Sequence, residues 1–380
     1  MNLKKYHFFV CCLLFILLLN SCKANTVKSS AAGTLVGDEA YSITPYNFVQ
    51  PTGADGLKSI TENFPEFAYY DNVIYYTNQP DKSKPGSVIA VSLNAESLED
   101  AALFKSRETV DSQYQNFMFT KRDGSLCCYD LADNNAQKLV IELPTAYTVL
   151  ENTLYYIKGS SAFALDIQSG KEALLEGEFI NLKAENGRLW LITAKDELCE
   201  YSGGKVNSPI ASSIKSPNNF TVVENTLFYT IQDESENKIS ICQRELGSEA
   251  ELVILDNIAV FYQMVNTDGY VYAVYDPSDE GRAVVSCYDK NSSNAEFETV
   301  LYNTNDYTLK AYAGNDEASG LVCCGSSIIQ AGSKNILEPE GINIVTNVYD
   351  DIAIFMFESK GNHFYFEAVQ LGSPCRTIEP

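Results

Sequence analysis

Glu151-Asn152-Thr153-Leu154-Tyr155-Tyr156, followed seven residues later by Phe163-Ala164-Leu165-Asp166-Ile167, is the stretch that decides how this chain folds. A polar pair suited to left-handed backbone opens it, an aromatic β-type run follows, and a second run carries a small residue at its centre. The same order recurs along the chain. Asp71-Asn72 precedes Val73-Ile74-Tyr75-Tyr76, Asn186-Gly187 precedes Arg188-Leu189-Trp190-Leu191, and Glu224-Asn225 precedes Thr226-Leu227-Phe228-Tyr229. Asp268-Gly269 leads into Tyr270-Val271-Tyr272, and Asp350-Asp351 into Ile352-Ala353-Ile354-Phe355, with a weaker copy at Gln115-Asn116 before Phe117-Met118-Phe119.

The small residues form their own series: Ala90, Cys128, Ala164, Cys199, Cys242, Cys287, Cys324 and Ala368, spaced 35 to 45 residues apart. A strand-built repeat of this length predicts an all-β propeller with one blade per period. Eight blades is the expected count. Seven with one irregular insertion is the alternative, because the repeat around 312–336 has a poorly defined aromatic partner. Neighbouring blades crowd near the axis, so a large side chain on one surface needs a small one beside it. Ala and a buried free Cys both fill that role. After Ala368 the chain holds only about one more strand, so residues 41–50 are expected to pair beside 363–371 and close the ring.

The N-terminus predicts export. Lys4 and Lys5 precede a 12-residue apolar run, Phe8 to Leu19. Such a run, about 18 Å long as a helix, falls short of the ~30 Å bilayer core. Leu19-Asn20-Ser21-Cys22 resembles the lipobox of bacterial lipoproteins, which implies lipidation of Cys22 as the first mature residue. The expected division is a signal peptide at 1–21, the lipidated Cys and a flexible tether at 22–40, and the propeller at 41–380. Lys23 is not the Asp that retains many diderm lipoproteins at the inner membrane. The expected location is therefore the cell envelope, lipid-anchored and outside the cytoplasm, on the periplasmic side or the cell surface.

Charge narrows the partners. The 380 residues carry 50 acidic and 27 basic side chains, and loss of Lys4 and Lys5 takes the formal charge from −23 to −25. Such a surface repels nucleic-acid phosphates and anionic headgroups. The acidic clusters at 233–236 and 276–280 lack the alternating spacing of a calcium loop and read as solvated loops. Of the 11 cysteines, Cys128, Cys199, Cys242, Cys287 and Cys324 occupy corresponding places on different blades, too far apart for disulfides. Free buried thiols are expected, with Cys127 and Cys128 on opposite sheet faces, as for Cys323 and Cys324. No cysteine or histidine grouping has zinc spacing.

Catalytic signatures are missing from the sequence. The mature chain holds one histidine, His363, which follows a hairpin turn in Lys360-Gly361-Asn362-His363. It reads as a turn-flanking residue rather than a base. There is no Gly-x-Ser-x-Gly elbow and no phosphate-cradling loop. Most tyrosines fall in the aromatic strands, while Tyr302, Tyr307 and Tyr312 are candidates for a recognition surface at the ring mouth.

The segment Ala162-Phe163-Ala164-Leu165-Asp166-Ile167-Gln168-Ser169-Gly170-Lys171-Glu172 is similar to the repeat of quinoprotein-like propellers, and Cys127-Cys128-Tyr129-Asp130-Leu131-Ala132-Asp133 is a fainter copy. That resemblance implies a commonly eight-bladed ring. The family includes a lipoprotein scaffold of outer-membrane protein assembly. Its repeat usually ends in a blade-docking Trp, whereas the single Trp190 lies elsewhere, and quinone and metal ligands cannot be placed. No catalytic, cofactor or metal residue is therefore assigned. The expected role is a lipid-anchored, non-catalytic platform for an exported protein, peptide or glycan. An assembly scaffold and a carboxylate-based enzyme acting on glycan or peptide are the competing readings.

Overall fold

The computed structural model describes residues 66–78, 86–92, 102–106, 108–312 (except 234, 236, 293 and 294), 320–332, 336–339, 344–349, 352–359 and 363–371, with two N-terminal strands at 33–36 and 43–45. The chain forms seven four-stranded antiparallel sheets and one five-stranded sheet. In chain order they occupy 67–106, 109–142, 146–175, 179–206, 220–258, 260–304, 309–339 and 344–371, and are numbered 1 to 8. First strands of successive sheets pack on one another, Phe67–Tyr70 against Thr109–Tyr114 and Val260–Thr267 against Leu309–Tyr312. Ile344–Tyr349 returns to Phe67–Tyr70, which completes a propeller. Among the described residues the one helical element is a single 3-10 turn, Pro217–Asn219.

The repeat read from the sequence is a structural repeat. The first residue of each polar pair, Asp71, Gln115, Glu151, Asn186, Glu224 and Asp268, has φ between 48° and 55°. Each therefore turns the first strand of its sheet tightly into the aromatic second strand. On the third strand the small residue faces a large one across the ladder. Ala90 pairs with Tyr75, Cys128 with Phe119, Ala164 with Tyr155 and Cys242 with Tyr229. Directly opposed residues share a sheet face, so each pair presents one bulky and one small surface to the neighbouring sheet.

Three expectations need correction. The count of eight blades is not matched, and the alternative of seven with one irregularity is: seven sheets of the described residues have the four-stranded form, and sheet 7 departs from it through a fifth strand, Gly33–Val36 on Ile336–Pro339. Cys324 does not belong to the third-strand series. It ends the second strand of sheet 7, opposite Leu309, and a short turn at Gly325 leads to the true third strand, Ser327–Gln330. That is why this repeat lacked an aromatic partner. Within the stretch assigned to a tether, Gly33–Val36 forms that fifth strand; Cys22 and the other residues of 1–32 lie outside the described residues.

Ring closure takes the expected form. Ile43–Pro45 pairs antiparallel with His363–Leu371, with Ile43 opposite Leu371, and supplies the outermost strand of sheet 8.

The core is a chain of inter-sheet layers. Cys127 packs with Ala68 and Val88 of sheet 1, and adjacent Cys128 with Val149 and Leu154 of sheet 3. The two thiols thus fill opposite interfaces, as strand alternation requires. The free cysteines include Cys127, Cys128, Cys199, Cys242, Cys323 and Cys324, all buried, and Cys287, partly buried. Burial pushes the thiol of Cys128 up to about 12, and those of Cys242, Cys287 and Cys324 up to about 11. Trp190 sits outside the slot of the quinoprotein-like repeat yet still docks two sheets. It is fully buried and edge-on to Phe220 of sheet 5, ring centroids 6.3 Å apart.

Candidate functional site

The innermost strands carry polar side chains toward the axis, where two clefts meet. One, of about 370 Å³, is lined by Ser112 and Gln113 of sheet 2, Tyr147 and Thr148 of sheet 3, and Glu185 and Asn186 of sheet 4. The other, of about 470 Å³, is lined by Glu66, Asp111, Lys310 and Tyr312, and shares Ser112 and Gln113 with the first. Together they form a chamber at the centre of the ring, in which apolar groups such as Phe67, Val149 and Leu150 stand beside the polar ones.

Each carboxylate of this chamber is already engaged. Asp111 pairs with Lys121 at 2.5 Å and accepts the Tyr147 hydroxyl. Burial, reinforced by the Asp111 charge, holds the Tyr147 phenol above its usual range, so it stays a donor. Glu185 pairs with Lys183 at 2.9 Å and accepts from Thr221 Oγ1 (2.8 Å), the Val222 amide (2.9 Å) and Asn266 Nδ2 (3.0 Å). One side chain of sheet 4 thereby holds sheets 5 and 6. Glu66 meets Lys310 at 3.3 Å. The arrangement offers hydroxyl, amide and paired ionic groups to a polar ligand.

No protein-family model matches the chain, and no curated protein matches it. The fold does have counterparts among solved structures. The computationally designed protein Ika8 aligns with a TM-score of 0.53 at 9% identity, over 80% of this chain and 95% of its own. BamB from Moraxella catarrhalis aligns at 0.47 and 12% identity, over 81% and 94%. A quinoprotein alcohol dehydrogenase-like protein from Bacteroides thetaiotaomicron aligns at 0.42 and 11%, over 63% and 66%. At such identities the likeness is one of fold.

The structure separates the three candidate tyrosines. Tyr312 lies on the first strand of sheet 7 and lines the chamber. Tyr307 lies in the connection between sheets 6 and 7, stacked on Tyr262. Tyr302 lies on the outermost strand of sheet 6 and is 68% exposed, so it belongs to the rim and not to the mouth. His363 begins the third strand of sheet 8, opposite Ser359.

The acidic loop at 276–280 is organised from within. Asp276 accepts from the backbone amides of Ser278 (2.9 Å), Asp279 (3.0 Å), Gly281 (2.7 Å) and Arg282 (3.0 Å). These donors, the Ser278 amide foremost, hold its carboxyl below the usual range. Asp166 of the quinoprotein-like segment plays a similar part, capping its turn through the Ser169 amide at 2.6 Å.

Sequence reasoning did not find Asp111, Gln113, Lys183 or Glu185. A signal was present: each sits on the strand just before the polar hairpin pair, the strand that topology places nearest the axis.

Proposed function

We propose that the protein is a cell-envelope lipoprotein, anchored through lipidated Cys22, that presents the propeller as a non-catalytic binding platform for an exported partner. The observation that carries this reading is the state of the chamber's acids. Asp111, Glu185 and Glu66 are each tied to a lysine, and Glu185 is also bound to the next sheet, an arrangement that gives these acids the task of holding blades. The run from Lys4 to Cys22 supports the anchor, and the strong negative charge argues against nucleic acid.

Crosslinking in intact cells, followed by pull-down of the lipidated chain, should recover a specific envelope partner. Turnover of glycoside or peptide substrates that is abolished by Asp111→Asn or Glu185→Gln would overturn the non-catalytic reading. For the anchor, Cys22→Ala should release the protein from the membrane fraction; full retention of the signal-cleaved variant would refute it.

A further inference from the structure

We propose that the exposed end of sheet 6, centred on Tyr262 and Tyr307, is a binding site for neutral saccharides; this rests on reading the ring as a platform and names the chemistry of its ligand. The two rings are parallel, with centroids 4.3 Å apart and planes 16° from each other. Tyr307 is nevertheless 38% exposed. One of its faces lies on Tyr262, and the residue keeps this much of its surface open despite the stack. The rigid ring of an exposed tyrosine orders at little entropic cost when it binds.

The platform is held in place from both sides. The turn at 276–282 is fixed by the backbone amides that converge on Asp276. The connection carrying Tyr307 is fixed by Asp306, which accepts the Thr308 amide at 2.9 Å and donates its own amide to Thr304 Oγ1 at 3.1 Å. Thr304 pairs with Ala283, which brings the turn and the connection to the same end of the sheet. A site so ordered loses little freedom when it binds.

The surrounding groups choose the ligand. Asp279, Arg282, Asn303 and Asn305 are exposed at this end of the sheet, and Tyr302 adds a second outward ring. An exposed aromatic ring with carboxylate, amide and guanidinium groups at the same end of the sheet suits a pyranose, whose C–H face stacks while its hydroxyls both donate and accept. A peptide would instead need an apolar pocket for an anchor side chain. Polyanionic glycans are disfavoured by the overall negative charge.

The test uses the full chain in detergent against maltohexaose, cellohexaose, mannohexaose and xylohexaose, by calorimetry. At least one should bind. Tyr307→Ala should weaken that binding about tenfold or more, Tyr307→Phe by no more than about threefold, and Leu174→Ala, on the outer strand of sheet 3, not at all. Thermal unfolding of each variant reports folding, and Tyr302→Ala supplies a second probe on a fully outward ring should Tyr307→Ala misfold. Binding of none of the four sugars, or equal binding by folded Tyr307→Ala, overturns the inference. A recovered protein partner without sugar binding would sink this site and leave the platform standing. Sugar that is bound through Tyr307 and also cleaved would do the reverse.

Discussion

Gln113 of sheet 2 grips the main chain of Tyr69 in sheet 1 at both ends: its Oε1 accepts the Tyr69 amide at 2.7 Å and its Nε2 donates to the Tyr69 carbonyl at 2.7 Å. Gln263 of sheet 6 does the same to Leu309 of sheet 7, at 2.8 Å and 3.0 Å. A side-chain amide thus stands in for one rung of a ladder between two first strands that do not pair. Where sheets splay around an axis their backbones cannot pair, and these amides supply the missing polar partners.

Truncating either glutamine should therefore loosen the ring. Gln113→Ala and Gln263→Ala are each expected to cost about 1 to 3 kcal/mol in urea unfolding, from the loss of two part-buried hydrogen bonds between sheets. Gln263→Glu keeps the acceptor but sets a carboxylate against the Leu309 carbonyl, and should be no milder than alanine. A loss within the error of an exposed control such as Leu174→Ala would show that the clamp contributes nothing.

Glu108 is the second point of weakness. It is fully buried, pairs with Arg122 at 2.9 Å, and accepts from Thr120 (3.1 Å) and Tyr129 (2.9 Å). Glu108→Ala removes the carboxylate that the Thr120 and Tyr129 hydroxyls and the partly exposed Arg122 share, and should cost about 1 to 3 kcal/mol. Glu108→Gln, which keeps the shape, should cost less. Equal midpoints for the two variants would show that charge and not packing matters there.

The raised thiols predict a particular alkaline profile. In the folded state Cys128 titrates near 12 and Cys242, Cys287 and Cys324 near 11, against an ordinary value of 9.0. Above that ordinary value the unfolded chain has already lost its thiol protons while the folded chain keeps them. Stability is thus fully present below pH 9 and falls as pH rises toward 11 and 12. Replacing Cys242 with Ala should flatten the slope. Thermal midpoints across this range decide the point, and a midpoint that rises with pH would contradict it. Near neutral pH the native thiols should resist a disulfide reagent that reacts fully after unfolding.

Deleting 41–50 should lower the unfolding midpoint sharply, because it removes Ile43–Pro45 from the outer edge of sheet 8 and leaves an open strand. Unchanged thermal stability would show that the ring closes without it.

Much of the architecture could be read from residue order alone. Polar hairpin pairs such as Glu151-Asn152 and Asp268-Gly269 act locally, through backbone conformation, so their meaning survives without a partner in view. The small residue opposite a large one is nearly as local. Sheet 7 was misread because its second strand, Leu321–Cys324, has the smallness expected of a third strand. The chamber was harder. Glu185 matters because Thr221, Val222 and Asn266 converge on it from two later sheets, and that convergence exists only once the ring is wound. The sequence does set Tyr307 apart from strand tyrosines such as Tyr272, which is buried whole, but it does not disclose the stacking on Tyr262.

The joining of Ile43 to Leu371 also sets a timetable for synthesis. Ile43–Pro45 must wait for its partner strand until Leu371, 328 residues after Ile43, has been made. Circularisation is then a late event of high sequence separation, slow by nature. The circle therefore stays unsealed until its eighth sheet has been made.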